Sequence, residues 1–149
     1  MKRLVIEYWT PLVLWLVLIF LFSTDTFAAS ETSGIIIPVL KFCFPSLSVQ
    51  DLDFWHGVIR KLGHIAEYFV LAVFTYRSLR QDGPDLAQAK LRTLSCAVFA
   101  ASLDELHQRF TFFRTASPLD VGYDCLGAVS ALVLITAYEA WRLRSHSVL

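Results

Sequence analysis

Two groups of side chains in this sequence have the types and spacing for chemistry. The first lies in residues 102–127 and holds Asp104, Glu105, His107, Gln108, Arg109, Arg114, Asp120 and Asp124. The second opens an earlier apolar run and holds Arg60, Lys61, His64, Glu67 and Tyr68. Three chemistries fit. Two adjacent acids and a histidine on one turn, with His64 and Asp120 completing the shell, offer donors suited to zinc, manganese or iron. The spacing is not H-E-x-x-H, however. On a helix, Asp104 and Gln108 share one face, with Glu105 about 100° round and His107 about 60° the other way. One ion reaches all of them only if the helix unwinds, so the metal is left unassigned and a divalent cation is a secondary expectation. Proton transfer is the second chemistry, with Glu67 or Glu105 beside His64 and Arg114 clamping a phosphate or carboxylate through two hydrogen bonds. Ser102 and Ser117 lack the motif context of a nucleophile. The third is structural: Arg114 paired with Asp120, Glu105 or Asp124, and Lys61 with Asp104, because buried polar groups need partners in any case.

The elements that position these residues follow from composition. The chain has 149 residues, 56% hydrophobic and 17% charged, with a mean hydropathy of +0.55. Soluble domains average roughly 45–50% apolar and 25% charged, so a polytopic membrane protein is expected. A net charge of zero leaves no electrostatic footprint for nucleic acid. Cys43, Cys96 and Cys125 form no ligand spacing; Cys96 and Cys125 read as small packing residues. The fold class expected is all-α, a single domain over 1–149 with four transmembrane helices at about 8–27, 61–80, 91–108 and 119–141. Lys2 and Arg3 before the first span resemble a signal peptide, but residues 27–29 lack the small-residue cleavage pattern, so the span is expected to be retained.

Residues 30–59 read as a long connection. Within it, residues 34–44, broken by Pro38, form a short interfacial or re-entrant segment. Asp82, Gly83 and Pro84 mark a turn over residues 81–90. In span two, Lys61, His64, Tyr68, Leu71 and Thr75 share a stripe that should face other helices. In span four, Asp120, Asp124, Gly127 and Ala131 share a face, and Gly127 with Ala131 lets a neighbouring helix approach closely. Tyr68, Phe110, Phe112 and Phe113 read as packing or interfacial aromatics, and His56 and His146 as solvent-side residues. Lys2, Arg3, Arg77, Arg80, Lys90, Arg92, Arg142 and Arg144 fall on one side of the bilayer, against Lys41, Arg60, Lys61, Arg109 and Arg114 on the other. That bias puts both termini in the cytoplasm and the polar groups at the outer face.

With order and position taken together, Lys61-x-x-His64-x-x-x-Tyr68, Asp104-Glu105-x-His107-Gln108-x-Phe110, Arg114, Asp120-Val121 and Gly127 resemble the VanZ-like membrane proteins, as does Phe22-Ser23-Thr24. The family pattern often has asparagine where Asp124 stands. The resemblance implies a small polytopic protein of the bacterial inner membrane, in a family whose founding member is associated with resistance to teicoplanin-type glycopeptides. It adds a fourth expectation, recognition without turnover. An outward pocket roofed by Phe112, Phe113 and residues 34–44 would bind a lipid-linked envelope component or a lipophilic glycopeptide. Across these readings, His64, Glu67, Asp104, Glu105, His107, Arg114 and Asp120 are the candidate catalytic residues of the polar cluster, and Lys61, Tyr68, Gln108 and Asp124 its candidate binding residues.

Overall fold

The computed structural model of the chain describes residues 5–82, 85–112 and 117–146. The described residues are mostly helical, with turns between the helices and no strand among them. A π-helical turn, Val5–Trp9, leads into α1, Thr10–Phe22. Pro11 sits in its first turn, where a missing N–H costs nothing. Thr24 then turns extended, with ψ at 168°, and a 3-10 turn, Asp25–Phe27, leads into α2, Ala29–Cys43. The two helical stretches meet at 74°.

Helix α3, Val49–Leu79, has 31 residues, about 46 Å at 1.5 Å per residue. Ser48 caps it: its Oγ accepts from Asp51 N, while the Asp51 carboxylate takes the Ser48 N–H. This reciprocal box fixes the start of α3 well ahead of Arg60. A 3-10 turn, Arg80–Asp82, precedes α4, Leu86–Gln108, which is capped by Asp85 accepting from Ala87 N at 2.7 Å. Helix α5, Pro118–His146, begins with proline and closes the bundle.

The core lies between α3, α4 and α5. On α3, Tyr68, Leu71, Ala72 and Thr75 are buried at helical spacing. On α4, the buried stripe is Ala89, Thr93, Ala97, Ala101 and Glu105, every fourth residue and mostly small. Small side chains bring backbones together, which gains packing contacts that longer ones would prevent. Gly127 on α5 is the extreme case. A Cβ there would lie 2.2 Å from Ile65 O and 3.0 Å from Phe69 N. Helix α1 adds Leu12 and Ile19 to the core. It is tied to α3 by Trp15 Nε1 donating to Glu67 O at 2.9 Å, and Ser78 Oγ reaches back to Tyr8 O at 2.7 Å.

Several expectations are corrected. Residues 30–59 are not a connection, because α2 and the first turns of α3 occupy them. Pro38 lies inside α2 without ending it. Helix α4 starts at Leu86, within the turn expected over 81–90, and α1 ends short of residue 27. Cys96 is exposed, because it falls off the buried stripe of α4. Among the described residues, one helical stretch, Pro118–Ser145, is long and apolar enough by composition to cross a membrane, and the bent pair Ile6–Phe22 with Asp25–Cys43 passes together.

Candidate functional site

The polar ends of α3, α4 and α5 meet the turn after α1. At the centre, His64 Nδ1 lies 3.1 Å from Asp124 Oδ1. Asp124 is 1% exposed, so this carboxylate is sealed between helices and its partner is the imidazole. The pairing needs the close crossing at Gly127, one turn further along α5.

Residues 104–108 point in three directions, as helical periodicity dictates. Asp104 Oδ2 accepts from Gln108 Nε2 at 2.9 Å. Glu105, buried, accepts the Ser117 backbone N–H and so fastens the end of α4 to the start of α5. His107 Nδ1 is 3.1 Å from Ser23 Oγ, and its ring lies 4.6 Å from that of Phe20, tilted by 38°. Among the described residues, no group of three or more His, Cys, Asp or Glu side chains is placed to hold a metal ion. Asp120 is half-buried at the start of α5, near enough to act electrostatically on Arg60 and His64. Tyr68 is fully buried, and its hydroxyl has no hydrogen-bond partner among the described residues. Lys61 is exposed, with its Nζ 5.2 Å from the Tyr123 ring centroid rather than against Asp104. Arg114 and Phe113 lie outside the described residues.

Arg60 belongs to the second polar group of the sequence, but its partners, Thr32 and His56, went unread there. Arg60 Nη1 donates to Phe27 O at 3.1 Å and to Thr32 Oγ1 at 3.2 Å. Thr32 Oγ1 gives its proton to Ala28 O at 3.0 Å and lies 3.2 Å from His56 Nε2. A hydroxyl has one proton and two lone pairs, so it accepts from both Arg60 and a His56 Nε2–H. His56 is therefore buried against α2 and not solvent-side. Burial, and then the Arg60 cation, holds its imidazole below the ordinary pKa. The signal was present: His56, Arg60, His64 and Tyr68 recur every fourth residue and continue the buried stripe of α3.

These elements enclose a cavity of 240 Å³. Its lining mixes Arg60, His64, Glu67 and Asp104 with the apolar side chains of Phe22, Phe27, Ile36 and Ile59. Drug-sized sites run to about 300–1,000 Å³, so this space suits a head group or a ring rather than a whole amphiphile.

No curated protein and no solved structure matches the chain. A family model described as VanZ/LLP1 matches residues 8–139. That stretch runs from the end of the first helical turn to the last turns of α5 and takes in every paired residue of the cavity, and so the chain belongs to the VanZ/LLP1 family.

Proposed function

We propose that this VanZ-like chain is a four-span protein of the bacterial inner membrane whose cavity, at the outer face, binds the head of a lipid-linked envelope component. The observation that carries this reading is the mixed lining of the cavity, in which Arg60 and His64 stand among Phe22, Phe27, Ile36 and Ile59. A polar head joined to an apolar tail matches that mixture.

The bilayer reading is supported by what the helices leave outside. Pro118–Ser145 has a hydropathy of 1.6 with only 22% of its most apolar window buried. On α1, Val13, Leu14 and Phe20 are each more than half exposed. Water would penalise such surfaces at about 25 cal/mol per Å². Helices α3 and α4 fall short by composition, but some of the polar residues that count against them, Glu105, Gln108, Thr93 and Thr75, are buried inside the bundle. Their outer faces carry Leu62, Phe99, Leu103 and Leu106. Helix α2, set at an angle to α1, fits an interfacial element over the cavity. Resistance to a teicoplanin-type glycopeptide would follow from sequestration of, or altered access to, such a lipid-anchored ligand.

The test is photocrosslinking in reconstituted membranes with a diazirine-bearing undecaprenyl-phosphate probe. Labelling is expected on Phe27, Ile36 or Ile59 and should fall about tenfold in Arg60→Gln, since a charge-assisted hydrogen bond to phosphate contributes about 1.5–3 kcal/mol. Labelling spread over the outer faces of α1 and α5, unchanged by Arg60→Gln, overturns the reading.

A second reading has one observation behind it. His64 lines the cavity and carries a buried carboxylate on Nδ1, the arrangement that orients an imidazole as a proton acceptor. Turnover of a bound phosphoester, abolished in His64→Gln with probe labelling retained, would make the protein an enzyme. Retained labelling with no turnover in the wild type leaves it a binding protein.

A further inference from the structure

One serine of the cavity stands apart in what its hydroxyl meets. Ser33, Ser102, Ser130 and Ser145 each give their proton to a carbonyl oxygen three or four residues back in their own helix. An amide carbonyl is too weak a base to activate them. Ser23 follows α1 and continues its helical bonding through its backbone N–H, which donates to Ile19 O at 2.9 Å. Its Oγ instead reaches α4 and lies 3.1 Å from His107 Nδ1. Ser23 is 2% exposed to the outside and lines the 240 Å³ cavity. The Phe20 ring, 4.6 Å from the imidazole, holds His107 in place.

A hydroxyl within hydrogen-bond reach of an imidazole is the arrangement that makes serine a nucleophile. With the His107 proton on Nε2, the Ser23 O–H donates to Nδ1. Arg60 lines the same cavity. A guanidinium has five N–H donors, and the bonds from Arg60 to Phe27 O and Thr32 Oγ1 both leave from Nη1. Its other nitrogens can therefore meet negative charge that develops on a bound group. Phe22, Ile36 and Ile59 give the same lining an apolar part, suited to a hydrocarbon chain.

We infer that Ser23 and His107 are the nucleophile and base of an esterase that cleaves a carboxylic ester on the lipid held in the cavity. In acyl transfer the attacking and leaving oxygens share one tetrahedral carbon, so a single imidazole beside the serine serves both. An in-line phosphoryl transfer separates them. Ser23 Oγ bonds to the carbonyl carbon as His107 Nδ1 takes the hydroxyl proton, and the carbonyl electron pair moves onto oxygen, where Arg60 stabilises it. The bond to the alcohol oxygen then breaks, and His107 returns the proton to that oxygen. Water next attacks the acyl carbon and gives a proton to His107. Ser23 leaves with that proton, and the acid is released. The inference rests on the cavity taking a lipid, as proposed above, but not on that lipid carrying a phosphate.

The test is treatment of the full chain in native membranes with a small dialkyl fluorophosphate, followed by peptide mass spectrometry. Ser23 is expected to carry the phosphoryl adduct, with fluoride expelled. His107→Gln keeps a hydrogen-bonding side chain but no base, and should slow labelling about 100-fold or more, as loss of a positioned base does. Ser102→Ala, on exposed α4 surface, should leave it unchanged. An adduct that forms equally fast in His107→Gln overturns the inference. So does the absence of an adduct at Ser23 in membranes where the undecaprenyl-phosphate probe still labels the cavity, and the binding reading then stands alone. A His107-dependent adduct in a chain that the undecaprenyl-phosphate probe does not label supports the esterase and removes the prenyl phosphate as its ligand.

Discussion

Replacing Gly127 with leucine is expected to lower stability by about 3 kcal/mol or more, the upper end of what overpacking costs. The reason is the identity of what the new side chain meets. A Cβ at this position is already 2.2 Å from the carbonyl oxygen of Ile65, a backbone atom that cannot rotate aside. Helices α3 and α5 would have to separate along their crossing. His64 and Asp124 lie across that same crossing, so the pair would break as well. Gly122→Ala is the matched control. Nothing lies within 4 Å of a Cβ there, and a glycine-to-alanine change inside an open helix gains about 0.5–1 kcal/mol. Thermal unfolding in mild detergent should move in opposite directions for the two variants. Equal melting temperatures would mean that the crossing is not as close as described.

The second large effect concerns the buried pair. His64→Leu leaves the Asp124 carboxylate enclosed with its partner gone, which costs about 3–5 kcal/mol. Asp124→Asn keeps an oxygen for the imidazole N–H and should cost about 1 kcal/mol. The double variant His64→Leu with Asp124→Leu removes both polar groups and should be more stable than His64→Leu alone. That ordering is the signature of a paired buried site. If the double variant is the least stable, with losses that simply add, the two residues act independently and the cavity lacks its polar floor.

Much of this was legible in the sequence, for a physical reason in each case. The stripe through His64, Tyr68, Leu71 and Thr75 follows helical spacing, and so does the small-residue face at Gly127 and Ala131; all but the half-buried His64 are buried. The divergence of Asp104, Glu105 and His107 followed from 100° per residue, and each takes a different partner. The second group was legible only in part. Lys61 belongs to the stripe by number, yet its long stem carries the ammonium out to the Tyr123 ring. Residues 30–59 misled because hydropathy alone cannot separate an apolar loop from a helix lying at an angle. The Ser48–Asp51 box was the local signal for the start of α3. His56 looks solvated in the sequence because its partner, Thr32, sits on α2, the same residue that accepts from Arg60.

The central claim is that helix ends far apart in the chain converge on one cavity. Ser23 and His107 test it most directly, since Ser23 Oγ and His107 Nδ1 are 3.1 Å apart and belong to α1 and α4 ends that the sequence separates widely. In a chain with Cys43, Cys96 and Cys125 replaced by serine, Ser23→Cys with His107→Cys should be joined in native membranes by a short bifunctional thiol reagent. Ser23→Cys with Tyr138→Cys, at opposite ends of the bundle, should not. Efficient joining of the second pair, or none of the first, would contradict the account.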